Sequence, residues 1–192
     1  GTTSCVLGTS SGIHAWHNTH YVRRIRVGKN ESIYSHLLQN HSELIEDEYF
    51  RPHDTAIISV PQKAPQNAVL RDESALQLLR RVKKVSDVWV KPGHRSGQNS
   101  HNVSATISVK EAEWNDIGDW MWENRDCYNG LSVLTYDEHT YKQAPFEDCS
   151  SETYEKMFQN LTKVNLSNII EEEDNTDLKG ELACAGGACE IK

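Results

Sequence analysis

Val103, Ala105, Ile107 and Val109 alternate with Ser104, Thr106 and Ser108. A two-residue apolar period puts all four on one side of an extended chain, the pattern of a half-buried strand. The period then changes. Over Lys110 to Arg125, Trp114, Ile117 and Met121 recur at helical spacing, and residues 131–136 return to an extended pattern. Strands alternating with helices restrict the chain to layered α/β arrangements.

The same alternation runs through the rest. Tyr21 to Val27 reads as a strand, with Val22, Ile25 and Val27 set among arginines. Ile33, Leu37 and Leu38 predict a helix ending near Asn40. Residues 55–60 form a short apolar run stopped by Pro61, as a buried strand would be. Leu76, Leu79, Val82 and Trp89 fall on one helical face, with Asp72 as the expected N-cap and Pro92-Gly93 as the stop. Residues 93–102 are wholly polar and predict a loop. Ser150 or Ser151 caps a helix through Leu161. Four or five strands are few for a closed, independent domain.

Composition narrows the function classes. The 192 residues suffice for one good core or two small ones, but only 37% are hydrophobic and 25% are charged. No apolar run approaches the length of a membrane span. No basic-then-apolar signal segment opens the chain. The first residue is Gly1 rather than Met, so the expectation is a processed product or part of a longer chain. A net charge of −8 argues against direct nucleic-acid binding. Five cysteines, an odd number, without a secretory signal point to the cytoplasm. There the sequons at Asn30, Asn40, Asn102, Asn160 and Asn165 are chance.

Two motifs carry chemistry. Near the end, Cys184-Ala185-Gly186-Gly187-Ala188-Cys189 places two thiols around a small, flexible spacer. One thiolate attacks a disulfide, and its neighbour then displaces the mixed disulfide intramolecularly. Residues 171–192 open on an acidic, core-poor stretch and read as a mobile tail. Its flexible part has a reach of roughly 20 Å, enough to enter a nearby cavity and return. Half a zinc site and two unrelated surface thiols remain alternatives on spacing alone. The second motif is Gly1-Thr2-Thr3-Ser4, whose hydroxyls and backbone N–H groups at a helix start suit an anion; an ordinary Ser/Thr-rich helix cap is the plainer reading.

Other clusters have bland explanations. His14, His17 and His20 are spaced for a helix that Tyr21 interrupts, so no metal is assigned. His94, Arg95, His101 and Asn102 lie in a polar loop and read as solvated. Trp114, Trp120 and Trp122 read as packing residues.

Taken together, several stretches resemble the C-terminal portion of adenosylcobalamin-dependent (class II) ribonucleotide reductases of the ribonucleoside-triphosphate type. They are Gly1-Thr2-Thr3-Ser4 with Gly8 to His14; Tyr21-Val22-Arg23-Arg24; Pro92-Gly93-His94-Arg95; Tyr141 to Glu147; and the terminal Cys184 to Cys189. The resemblance implies the last part of a ten-stranded α/β barrel over residues 1–170, with a redox-active flexible tail over 171–192. It implies that Gly1, Thr2, Thr3 and Ser4 hold the phosphates of a ribonucleoside triphosphate. It also implies that Cys184 and Cys189 re-reduce an active-site disulfide and are themselves reduced by thioredoxin or a similar protein. In such enzymes homolysis of the cobalt–carbon bond leads to a thiyl radical that abstracts the ribose 3′ hydrogen. Water then leaves C2′ and a cysteine pair supplies two electrons.

This chain departs from that pattern. It has no Asn-x-Cys-x-Glu context for the radical cysteine, and Cys5, Cys127 and Cys149 do not fit one. The expectation is a segment inactive alone, with the remainder of the reductase chain as its first partner and no residue assigned to adenosylcobalamin. The rival expectation is an accessory thiol-redox or zinc-binding module without catalysis of its own.

Overall fold

The computed structural model describes residues 2–136, 141–161, 163–170, 184–185 and 188–189. The elements run α1 (Thr2–Leu7), β1 (His20–Gly28), α2 (Ser32–Asn40), β2 (Ile45–Asp47), β3 (Thr55–Lys63) and α3 (Ala75–Val85). There follow α4 (Lys91–Gly93), β4 (Thr106–Val109), α5 (Trp114–Glu123), β5 (Ser132–Thr135), β6 (Phe146–Asp148) and α6 (Ser151–Asn160). Two short strands, β7 (Cys184–Ala185) and β8 (Ala188–Cys189), end the series. The architecture is α/β. Among the described residues it forms two compact units, Gly1–Trp16 with Gln66–His139, and His17–Pro65 with Thr140–Lys192.

The first unit is built around a β–α–β turn against which α3 packs. β4 and β5 pair in parallel, Thr106 with Ser132 through Val109 with Thr135, and α5 makes the crossover. Ile107, Val109 and Ile117 are at most 1% exposed and pack with Leu79 and Val82 of α3. The alternation read from the sequence thus sets the buried side. The hydrogen-bonded strand covers only its second half, while Val103 and Ala105 are buried ahead of it.

Helix α3 differs from expectation at both ends. Its cap is Ser74, not Asp72. Ser74 Oγ accepts from Gln77 N at 3.3 Å while Gln77 Oε1 accepts from Ser74 N at 2.8 Å, a reciprocal capping box. Glu113 Oε1 takes the next free donor, Ala75 N, at 3.1 Å. At the other end, Ser86–Val90 form a π-helical turn before α4. The extra residue rotates Trp89 off the Leu79–Val82 side, and it is 79% exposed.

The second unit is a four-stranded antiparallel sheet in the order β2-β3-β1-β6. Val27, Ala56 and Ile58 meet Leu37 of α2 and Leu44 in its core. α6 begins at Ser150, whose hydroxyl accepts from Thr153 N at 3.1 Å. Pro61 does not stop β3, which runs on to Lys63. β2 covers β3 only from Ala56 to Ile58, so beyond it one side of the strand needs no ladder donor and tolerates proline. β2 and β6, three residues each, carry no period of their own and were not foreseen.

Candidate functional site

Residues 2–14 fold into a compact hydroxyl-rich turn. α1 ends at Gly8, whose φ of 60° is open to glycine, and Thr9 N donates to Ser4 O at 2.9 Å. That closure brings the next hydroxyls back toward the helix. Thr3, Ser4, Leu7, Thr9, Ser10 and Gly12 line one shallow depression of about 470 Å³. Of the four predicted phosphate-binding residues, Thr3 and Ser4 therefore sit in a depression, joined by Thr9 and Ser10. Thr2 lies at the start of α1, and Gly1 is outside the described residues.

His14 anchors this turn. Its Nε2 accepts from Thr106 N at 3.0 Å, which places the ring proton on Nδ1, donating to Ser11 O at 2.7 Å. The other two histidines of the triplet are engaged differently. His17 Nε2 lies 3.0 Å from Asp148 Oδ1, and the His20 ring sits 5.0 Å from that of Tyr154. Among the described residues no three His, Cys, Asp or Glu side chains are grouped to hold a metal ion. In the polar loop, His94 Nε2 meets Gly97 O at 2.9 Å and Asn102 brackets Gly130 through both of its amide atoms.

The second unit joins two of the motifs. β1 and β6 pair Val22 with Glu147 and Arg23 with Phe146, so Tyr21–Arg24 and Tyr141–Glu147 lie side by side. Arg24 is the hub. Its Nη1 donates to Glu147 Oε2 at 2.5 Å and its Nε to Glu46 Oε1 at 3.2 Å; Arg24 N donates to Pro145 O at 2.9 Å. Gln143, at φ 57°, clamps the loop after β2 by accepting from Tyr49 N and donating to Asp47 O, both at 2.8 Å. A depression of about 450 Å³ beside Arg24 includes Glu46, Ser59, Glu147 and Cys149 in its wall. Glu46, Gln143 and Cys149 carried no individual signal, although Gln143 lay within a quoted motif.

The thiols divide by environment. Burial, then the charges of Asp148 and Glu147, push the Cys149 thiol up from its ordinary value. Burial likewise pushes up Cys127. Both shifts disfavour the thiolate, the nucleophilic form. The terminal pair differs in its backbone. β7 and β8 are antiparallel, with Cys184 opposite Cys189 and Ala185 opposite Ala188. Directly opposed residues of an antiparallel pair have Cα atoms about 4.5–5.5 Å apart, within the roughly 4.4–6.8 Å that a disulfide spans. The rest of the predicted mobile tail, 171–183, 186–187 and 190–192, lies outside the described residues.

Neither depression suits a corrinoid: both are near the low end of the ~300–1,000 Å³ typical of drug-sized ligands.

The fold has a counterpart among solved structures. It superposes on the crystal structure of a B12-dependent (class II) ribonucleotide reductase with a TM-score of 0.69 at 22% identity, covering 88% of this chain and 23% of that one. The named relatives are more specific. The chain is similar along its whole length to adenosylcobalamin-dependent ribonucleoside-triphosphate reductases, as its motifs had indicated. It is 29% identical over 197 residues to that of Lactobacillus gasseri and 24% identical over 197 residues to that of Levilactobacillus brevis. With the enzyme of Lactobacillus leichmannii it shares 24% over 200 residues. Each alignment takes in 100% of this chain but only 25–26% of the relative, so the chain spans about a quarter of the length of the curated relatives it matches. No family model matches it.

Proposed function

We propose that this chain is the C-terminal segment of an adenosylcobalamin-dependent ribonucleoside-triphosphate reductase, and that its own contribution is substrate-phosphate binding and a redox dithiol. Residues 1–170 are the last part of the α/β barrel and 171–192 the redox tail. The observation that carries the reading is the register of Cys184 opposite Cys189, in a chain similar throughout to such reductases. Adenosylcobalamin, when bound by the longer protein, supplies the radical. The thiyl-radical conversion of ribonucleotides to 2′-deoxyribonucleotides takes place on residues outside this chain.

The tail reaction balances without further reagents. A tail thiolate attacks the active-site disulfide, forming a mixed disulfide and releasing one active-site thiolate. The second tail thiolate then displaces the other active-site sulfur and closes the Cys184–Cys189 disulfide. Two electrons move inward, and each released thiolate takes up a proton lost by a tail thiol. Thioredoxin or a similar dithiol protein reverses the tail disulfide by the same exchange. Cys127 and Cys149, whose thiolates are disfavoured, do not compete. At the other end, Gly1, Thr2, Thr3 and Ser4 hold the substrate's phosphates; Thr9 and Ser10 share the depression and add hydroxyl donors.

The test uses the complete reductase. Serine at Cys184 and Cys189 together is expected to abolish thioredoxin-driven turnover and leave dithiothreitol-driven turnover intact. Equal activity of variant and wild type with thioredoxin would remove the tail from the mechanism.

A further inference from the structure

A helical period of 3.6 would put Trp89 on the same side as Val82, seven residues earlier, facing the core. The π-turn prevents this. Lys91 N donates to Ser86 O, five residues back, and the added residue turns Trp89 outward to 79% exposure, beside Val88 at 64%. Single π-turns inside helices recur at functional sites. Here the turn sets a large aromatic side chain in water, where its apolar surface gains nothing from burial.

Trp89 extends a stripe that starts in α3. Arg80, Lys84 and Val88 are four residues apart, so each lies one turn beyond the last, and all are exposed. Their neighbours are already occupied. Arg81 pairs with Glu73 at 2.6 Å, while Lys83 and Lys91 both pair with Asp87, at 2.6 and 2.7 Å. Arg80 and Lys84 have no ion-pair partner among the described residues. The stripe is left with two uncompensated cations in a chain of net charge −8.

We propose that Arg80, Lys84, Val88 and Trp89 form a docking surface for a partner polypeptide. The partner segment is an amphipathic helix with two carboxylates one turn apart and an apolar side chain a further turn along. Charge complementarity selects the carboxylates, and their spacing matches that of Arg80 and Lys84. Trp and Arg are the side chains that most often anchor interfaces. Two cations on a strongly acidic chain are too few for a nucleic-acid backbone, which the remaining charge repels. The surface is independent of the dithiol and of the phosphate-binding turn.

The probe is a synthetic helical peptide with two glutamates one turn apart and a leucine one turn beyond, titrated calorimetrically into the full 192-residue chain. A lysine-for-glutamate peptide is the control. Trp89→Ala is expected to weaken binding at least about tenfold. Arg80→Glu with Lys84→Glu should lose the glutamate peptide and gain the lysine peptide. All three positions are exposed, so thermal unfolding should be unchanged. Failure of the glutamate peptide to bind, or equal binding of both peptides, overturns the proposal. So does tighter binding of single-stranded DNA or of phosphatidylserine vesicles than of the peptide. Self-association of the chain that Trp89→Ala abolishes would assign the stripe to a second copy and overturn it too.

Discussion

The two compact units are held by different forces. In the first, the side chains that decide the packing are apolar: Leu79, Val82, Ile107, Val109 and Ile117 are all at most 1% exposed. In the second, an apolar cluster is present, but the strands are also tied by charge. Arg24 bridges Glu46 and Glu147, and Arg26 reaches the buried Glu48 at 3.5 Å. Glu48 Oε2 in turn accepts from Phe50 N and Arg51 N, both at 2.6 Å. The contrast teaches where each unit is vulnerable. Apolar packing fails when volume is removed, and a charge network fails when one partner is removed and the others are left facing each other.

The largest test removes volume. Ile107→Ala, at a side chain with no exposure, is expected to cost about 2–5 kcal/mol. Urea unfolding of the chain gives the loss, and native-state hydrogen exchange locates it. Amides of α3, α5 and β4 should lose protection, and 1 M salt should leave the deficit unchanged. An equal loss across β1 and β3 would show that this cluster does not stabilise the first unit on its own.

A smaller effect is expected in the second unit. Arg24→Met leaves Glu46 and Glu147 unpaired, but these carboxylates are 42% and 43% exposed and are partly rescued by water. The expected cost is about 1–2 kcal/mol. It should shrink when Glu147→Gln is added, because the repulsion goes with the charge. A cost as large as that of Ile107→Ala would show that the network, not its apolar cluster, dominates this unit.

The smallest effect separates surface charge from core. Hydrogen bonds from Lys83 and then Lys91 hold Asp87 below its ordinary 3.8. A depressed carboxylate stabilises the fold fully above its unfolded value, and that contribution fades as pH falls below 3.8 through the folded value. Asp87→Asn should therefore lower the urea midpoint slightly at pH above ~4 and converge with the wild type as pH falls below it, which flattens the acid limb. An unchanged acid limb would show that this ladder of charges on the first unit has no thermodynamic weight.

Most of the architecture was legible because it rests on period. β1, α2, α3, β4, α5 and β5 lie where apolar spacing placed them, and α6 lies where a serine cap placed it. The misses have physical causes. β2 and β6 are three-residue strands that exist because β3 and β1 offer them ladder partners, and three residues carry no period. Asp72 lost the cap to Ser74 because Gln77 completes a reciprocal pair with serine. Trp89 left the buried side because a π-turn breaks the 3.6 count, which composition does not announce. At the candidate site, Thr3, Ser4, Cys184 and Cys189 were named from residue type and spacing together with the family resemblance. Thr9, Ser10, Glu46 and Gln143 emerged only once the chain folded back.

The α/β succession, the apolar side of each long element, the hydroxyl-rich opening and the two terminal thiols follow from residues near one another along the chain. Which distant motifs meet was set only by folding. Val22 came to face Glu147, Gln143 came to clamp the loop after β2, and Trp89 came to face water. Pairing register, ion-pair geometry and helix phase depend on the free energy of the assembled whole, and no local window of sequence contains it.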